Sequence, residues 1–216
     1  MSGVRLEWHR DASGYRIKAA IPPNLLNQKI VGSFGEPERI VRLGGEEVRC
    51  QPMKNDRLFV TFANLKTAAD VLSFIKRSGP LTPAGQRIER GDSIELVLEH
   101  ASRMKQLLVG NERSDRHWIY TNPTGMLGNV KMSLVLDANL KRSRLQFDAP
   151  DLLTALWLQF GQAITKGTKT PACRHCGVLF AVGPGTGRRG DAEFCSESHK
   201  REYFSLQRSS KRAEDA

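Results

Sequence analysis

Two short cysteine and histidine pairs near the C-terminus constrain this chain more than any other feature. Cys173-Arg-His-Cys176-Gly is followed, after 18 intervening residues, by Cys195-Ser-Glu-Ser-His199. Two thiolates in a CxxC turn converge on one point. A Cys and a His four positions apart do the same from the first turn of a helix. Three Cys and one His fill a tetrahedral zinc site and leave no coordination position for water or substrate. The chain has only 4 cysteines, so three of them gathered in this stretch read as ligands rather than as scattered buried thiols. The expected cofactor is one structural Zn2+ on Cys173, Cys176, Cys195 and His199. His175, inside the first pair, is the competing imidazole. It would have to turn back between its own neighbours, which favours His199.

The residues around the ligands fit a compact metal module. Gly177 follows the first pair, where a tight knuckle needs it. Residues 178–182 read as a strand, residues 183–190 as a loop with four glycines and a proline, and residues 192–194 as a returning strand. Ser196 stands where a helix N-cap belongs, and a helix runs on from it. Knuckle, hairpin and helix in that order make a treble-clef arrangement. The sequence thus predicts an α+β N-terminal domain at residues 1–166 and a small treble-clef-like zinc module at 168–216.

These residues carry a family resemblance over about a quarter of the chain. Leu156-Trp-Leu-Gln-Phe160, the two ligand motifs, Gly185-Thr-Gly-Arg-Arg189 and Phe194-Cys-Ser-Glu-Ser-His-Lys-Arg201 resemble uncharacterised bacterial treble-clef zinc-finger proteins of the FCS type. The group is similar to the CGNR-type fingers of stress-response regulators. The chain has no Cys-Gly-Asn-Arg run, and it places His199 where many relatives have cysteine. The resemblance implies DNA binding and transcription regulation.

Charge points the same way. The net charge of +10 favours an anionic partner. At 100° per residue the final helix puts His199, Tyr203 and Leu206 on one side, expected to face metal and core. Arg201, Arg208 and Arg212 fall on the other side, with Lys200 and Lys211 flanking them and Phe204 among them. Guanidinium and ammonium groups pair with phosphates, and a phenyl ring can stack on a base or wedge between bases. Arg188 and Arg189, at the glycine-loop tip, are further phosphate candidates. The expected partner is nucleic acid, DNA ahead of RNA, with a protein-interaction module as the alternative.

An enzyme is not expected. The ligand set is saturated, and no acid–base pair or nucleophile stands out. Cys50 reads as an inert strand thiol, and His9, His100 and His117 are scattered. The glycine loop has GxGxxG-like spacing without the strand–helix context of a phosphate loop. The longest apolar run, within residues 152–160, is too short to cross a bilayer, and no leader is evident, so a cytoplasmic protein is expected. Nothing in the sequence says what the larger domain does.

Period-two patterns predict strands at residues 4–8, 15–19, 39–43, 47–53 and 57–62, and a hairpin from 131–137 and 143–147. Helical spacing predicts helices at 66–77, from an Asp92 cap to about 108, and from an Asp148 cap to about 166, the last one apolar around most of its circumference.

Overall fold

The computed structural model describes residues 3–6, 8–20, 37–55, 57–83, 85–86, 90–109, 130–136, 143–183 and 186–214. It is a mixed α/β structure of three small sheets and five α-helices among those residues. Strands β1 (Gly3–Arg5), β8 (Ser143–Asp148) and β7 (Lys131–Leu136) form one sheet in the order β1-β8-β7. β1 runs parallel to β8, and β7 and β8 form the expected antiparallel hairpin, with Met132 opposite Phe147 and Leu134 opposite Leu145. β2 (Trp8–Asp11) pairs with β5 (Glu47–Cys50), and β3 (Tyr15–Lys18), β4 (Arg39–Arg42) and β6 (Asp92–Ser93) make the third sheet.

The first alternating run is therefore split. Val4 pairs with Phe147 and Trp8 with Cys50, in two different sheets. Trp8 ends buried, its indole N–H donating to the Pro80 carbonyl at 2.6 Å. That contact explains Gly79, which terminates α2 (Ala68–Ser78) with φ of +86°: a side chain there would meet the Trp8 ring at 2.9 Å. At its other end α2 has a complete capping box, with Thr67 Oγ1 accepting from the Asp70 amide and Asp70 accepting from the Thr67 amide.

Three local expectations are corrected. Residues 57–62 are not a strand: Leu58–Ala63 is a helix, α1, with five of its six residues buried. Leu58, Phe59 and Val60 are contiguous apolar residues, which a half-solvated strand cannot bury on one face. As a helix packed on α3 (Ile94–Val109) and α4 (Leu152–Thr165), all are covered. Asp92 does not cap α3. It lies in β6, buried, and accepts from the Leu81 amide (2.7 Å), the Thr82 amide (3.1 Å) and the Thr82 hydroxyl (2.7 Å). Ser93 Oγ accepts the Leu96 amide at 3.4 Å at the start of α3 instead. Asp148 likewise does not cap α4. It is the last residue of β8, paired with Arg5 on one side and Lys131 on the other, so the helix starts later, on Asp151, whose carboxylate accepts from the Thr154 amide at 2.7 Å.

The main core is aromatic. Phe59 meets Phe160 edge-on at 6.2 Å, Phe62 meets Phe74 at 5.5 Å, and Trp157 meets Phe160 at 5.3 Å. The cluster at α4 is thus core packing. Gln159 crosses it to fasten the start of α1, donating to the Asn55 carbonyl at 2.8 Å and accepting the Phe59 amide at 3.4 Å.

Residues 169–182 run antiparallel to themselves across the knuckle, with bridges Lys169 to Val182 and Ala172 to Leu179. The expected strand at 178–182 thus pairs backward in sequence, to the segment before Cys173. The returning strand at 192–194 does not form. Successive side chains of this ribbon point to opposite sides. Leu179 and Ala181 join the main core, while Phe180 and Val182 form a second cluster with Cys173. The Asn64 side chain, just past α1, completes the junction. Its amide donates to the Leu179 carbonyl (2.9 Å) and its carbonyl accepts the Leu179 amide (2.9 Å), as a neighbouring strand would, with a third bond to the Val60 carbonyl (2.8 Å).

A second polar clamp sits in the N-terminal sheets. Asp11, buried, accepts from the amides of Ser13 (2.8 Å), Gly44 (2.8 Å) and Gly45 (3.0 Å) and from Arg42 Nε (3.3 Å), and Arg42 also pairs with Glu47. Burial works to raise the Asp11 carboxyl, but the three amides and the guanidinium outweigh it and hold it below the ordinary value.

Two outcomes follow from these clamps. Asn64→Ala leaves the amide and carbonyl of Leu179 without that partner and should lower stability by about 2 kcal/mol in denaturant titration. The depressed Asp11 carboxyl contributes stability that is present above its unfolded value, about 3.9, and fades as pH falls through its lower folded value. Asp11→Asn should therefore be less stable at pH 7 and lose less between pH 5 and 2, read from melting temperature against pH.

Candidate metal centre

The cysteine and histidine pairs converge. Among the described residues, ligand atoms of Cys173, Cys176, Cys195 and His199 all lie within 4.8 Å of one another and could hold one metal ion. Cys176 and Cys195 sulfurs are 3.8 Å apart, Cys173 Sγ is 3.9 Å from His199 Nδ1, and Cys195 Sγ is 3.0 Å from the same nitrogen. Bonds of about 2.3 Å to sulfur and about 2.0 Å to nitrogen place tetrahedral ligands about 3.8 Å apart for S to S and about 3.5 Å for S to N. The first distance matches, and the two others bracket the ideal. A disulfide needs about 2.05 Å between sulfurs, and all four cysteines are free.

Local chemistry builds each arm. In the first knuckle the Gly177 amide donates to the Cys173 carbonyl at 2.8 Å, and the Cys173 amide to the Val178 carbonyl at 3.0 Å. Gly177 turns the chain with φ of +68°, a left-handed conformation that residues with a Cβ rarely adopt. The second arm rests on α5 (Glu197–Glu214). Ser196 Oγ accepts the His199 amide at 3.3 Å, the cap expected of it, so His199 leaves the first turn beside Cys195. The arms are tied directly: the Arg174 amide donates to the Glu193 carbonyl (3.1 Å), and their side chains pair at 2.9 Å.

The sulfur electrostatics explain what the cluster needs. Burial resists a thiolate at Cys173, but the amides of Cys195, Cys176 and His175 and the His199 ring overcome it and bring the thiol down to about 6. Cys195 goes the other way. Burial and the two neighbouring sulfurs push it up to about 11. Three negative sulfurs at this spacing repel one another, so only a cation at their centre lets all three ionise together.

His175 does not join the four ligands. Its Nε2 lies 3.0 Å from Glu202 Oε2, and its ring lies 4.9 Å from that of His199. His175, His199 and Glu202 form a second close group that shares His199. The contact latches the first knuckle onto α5 one turn beyond His199. Sequence reading missed this latch, although Glu202 sits three residues after His199, on the turn where a helix brings such groups together.

The basic candidates divide. Arg188, exposed, donates to the Cys195 carbonyl at 2.8 Å, with its guanidinium 5.6 Å from the Phe180 ring centre. Arg189 pairs with Asp191 at 2.9 Å on the loop tip. Arg201 approaches Glu197 at 4.0 Å. Lys200 and Arg208 are exposed and form no ion pair among the described residues. Lys211 and Arg212 continue the helix, with side chains outside the described residues. Phe204 is exposed but not isolated: it meets Phe194 at 5.9 Å and Tyr203 at 5.5 Å. Leu206, expected on the covered side, is 61% exposed, because α5 has by then run past the body of the module.

The remaining candidates are structural or undescribed. Cys50 Sγ donates to the Ser78 carbonyl at 3.6 Å, and burial pushes the thiol up. His100 is buried edge-on against Trp157, and burial pushes its imidazole down. His9 is an exposed strand residue, and His117 lies outside the described residues. Among the described residues no helix is long and apolar enough to cross a membrane.

Elemental analysis of the purified protein should find about one metal per chain. Cys176→Ser removes a ligand 3.8 Å from Cys195 and should abolish stoichiometric retention, whereas Cys50→Ser should keep it. In comparisons with known proteins, no family model, no curated protein and no solved structure matches the chain.

Proposed function

We propose that residues 168–216 are a treble-clef-like zinc module whose last helix binds nucleic acid, and that the protein acts as a regulator in the cytoplasm. One observation carries the reading. The helix that supplies the fourth ligand, His199, also supplies the exposed cations Lys200, Arg201 and Arg208. A metal that fixes the first turn of α5 thereby fixes where those charges sit. Zinc suits the donor set: three thiolates and one imidazole at tetrahedral spacing, with no position left for a reacting water, which makes the ion structural. Thiolate ligands also need a reducing compartment. The resemblance to FCS-type and CGNR-type fingers agrees with this reading, and DNA is the first nucleic acid to try. No catalytic residue is assigned.

The second reading is a protein-interaction module, favoured by the exposed Leu206 on α5. Salt dependence separates the two. Removing one cation that neutralises a phosphate lowers the slope of log affinity against log salt by about 0.7 for single strands and about 0.9 for duplex. Arg201→Ala combined with Arg208→Ala should weaken binding and flatten that slope by two such increments, with zinc content unchanged. Fluorescence anisotropy across a salt series measures both. Failure of the unmutated protein to bind any oligonucleotide at about 50 mM salt, where phosphate pairing is strong, would put the protein-interaction reading first.

A further inference from the structure

The outer face of α5 does more than offer charge. Phe204 lies at its centre, with Lys200 and Arg201 one turn before it and Arg208 one turn after, all exposed. At about 1.5 Å rise per residue the backbone positions of these residues lie about 4.5–6 Å from that of Phe204 along the axis, on either side. Two other rings contact it. Tyr203 meets it edge-on with an interplanar angle of 82°, and Phe194, from the segment leading into Cys195, meets it at 54°. Phe194 and Tyr203 are themselves 5.3 Å apart. Phe204 nevertheless keeps 45% of its surface in solvent. An open phenyl ring among cations offers a base a surface to stack on and its phosphates groups to pair with.

We infer that this ring is a stacking platform for an unpaired base, and that the module's ligand is single-stranded rather than duplex nucleic acid. The inference rests on the nucleic-acid reading above and narrows it. The ring contacts bear on the form of the ligand. A side chain that wedges into a duplex must enter between two stacked base pairs and be covered on both faces. Phe204 already meets two rings, Phe194 at 5.9 Å and Tyr203 at 5.5 Å, which leaves less of it free to enter between two base pairs. Its exposed part suits a single base, which a flexible strand supplies without breaking pairs. The flanking cations then meet the phosphates on either side of that base. Glu197 draws on Arg201 at 4.0 Å, but both partners are well exposed, so the pair is weak and yields to a phosphate.

Three probes of equal length test this: fluorescein-labelled oligo-dT, an abasic strand with the same phosphates, and a duplex. The zinc-loaded full-length protein should bind oligo-dT about tenfold more tightly than the abasic strand at the same salt, the usual scale of one base stacked on an aromatic ring. It should also prefer oligo-dT to the duplex. Phe204→Leu keeps an apolar group against Phe194 but removes the flat ring. It should lower oligo-dT affinity about tenfold while abasic binding, salt slope and zinc content stay the same. Phe204→Trp should restore affinity. Equal binding of oligo-dT and the abasic strand by the unmutated protein would overturn the platform even if the variants fold badly. So would duplex binding as tight as oligo-dT binding, and either result would leave the broader nucleic-acid reading standing. No binding of any of the three probes would overturn the platform and that broader reading together.

Discussion

The extended segment at residues 178–182 is the part on which both halves of the structure depend. It has no long partner strand, yet it serves two cores at once, with Leu179 and Ala181 on one side and Phe180 and Val182 on the other. Its backbone is satisfied from both directions: by residues 169–172 through the ribbon, and by the Asn64 amide at Leu179. A buried peptide group without such partners would cost more than one packing interaction returns. Asn64 therefore acts as a one-residue strand, joining α1 to the segment that bears the first two ligands. The metal cluster is attached to the aromatic core through this wall, and the position of the knuckle follows from the packing of α1 against α3 and α4.

The second constraint is electrostatic. The cluster gathers three sulfurs, two of them 3.8 Å apart, in a pocket that supplies backbone amides to Cys173 but sets Cys195 against its neighbours. Three sulfurs this close cannot all carry charge without a cation among them, and the four ligand atoms lie within 4.8 Å of one another, close enough to share one. Arg174 with Glu193, and His175 with Glu202, join the knuckle to the second arm without using the ligand sulfurs. The arms thus have contacts of their own in addition to any metal, and these limit how far the first turn of α5 can swing.

α5 then leaves the body. His199 and Tyr203 remain half-covered, and from Phe204 onward each described side chain is exposed. A long polar helix standing away from the core draws little stability from its own propensity. Its capped first turn, set by Ser196 and His199, holds it to the module together with the Glu202 latch and the three-ring cluster.

The ligand set was legible in the sequence because it is local: two residues per knuckle at spacings that only a turn or a helix start can bring together. Ser196 as a cap, Gly177 as a turn, the body of α2 and the β7–β8 hairpin were legible for the same reason, since each is decided within a few residues. What failed was whatever depended on partners far along the chain. Leu58–Ala63 read as a strand until α3 and α4 made a buried helix the better way to cover a contiguous apolar run. Asp92 read as a cap until Leu81 and Thr82 claimed its carboxylate, and Asp148 until strands on both sides claimed its backbone. The hairpin expected across the glycine loop closes only at a Gly183–Arg188 bridge, and residues 178–182 pair instead with 169–172 across the knuckle and with Asn64. The sequence by itself determined which atoms can gather around one ion. Only the tertiary structure decided where that site stands relative to the core, that Arg188 donates to the Cys195 carbonyl, and that Phe204 meets Phe194. Those outcomes rest on contacts between residues that no local pattern relates.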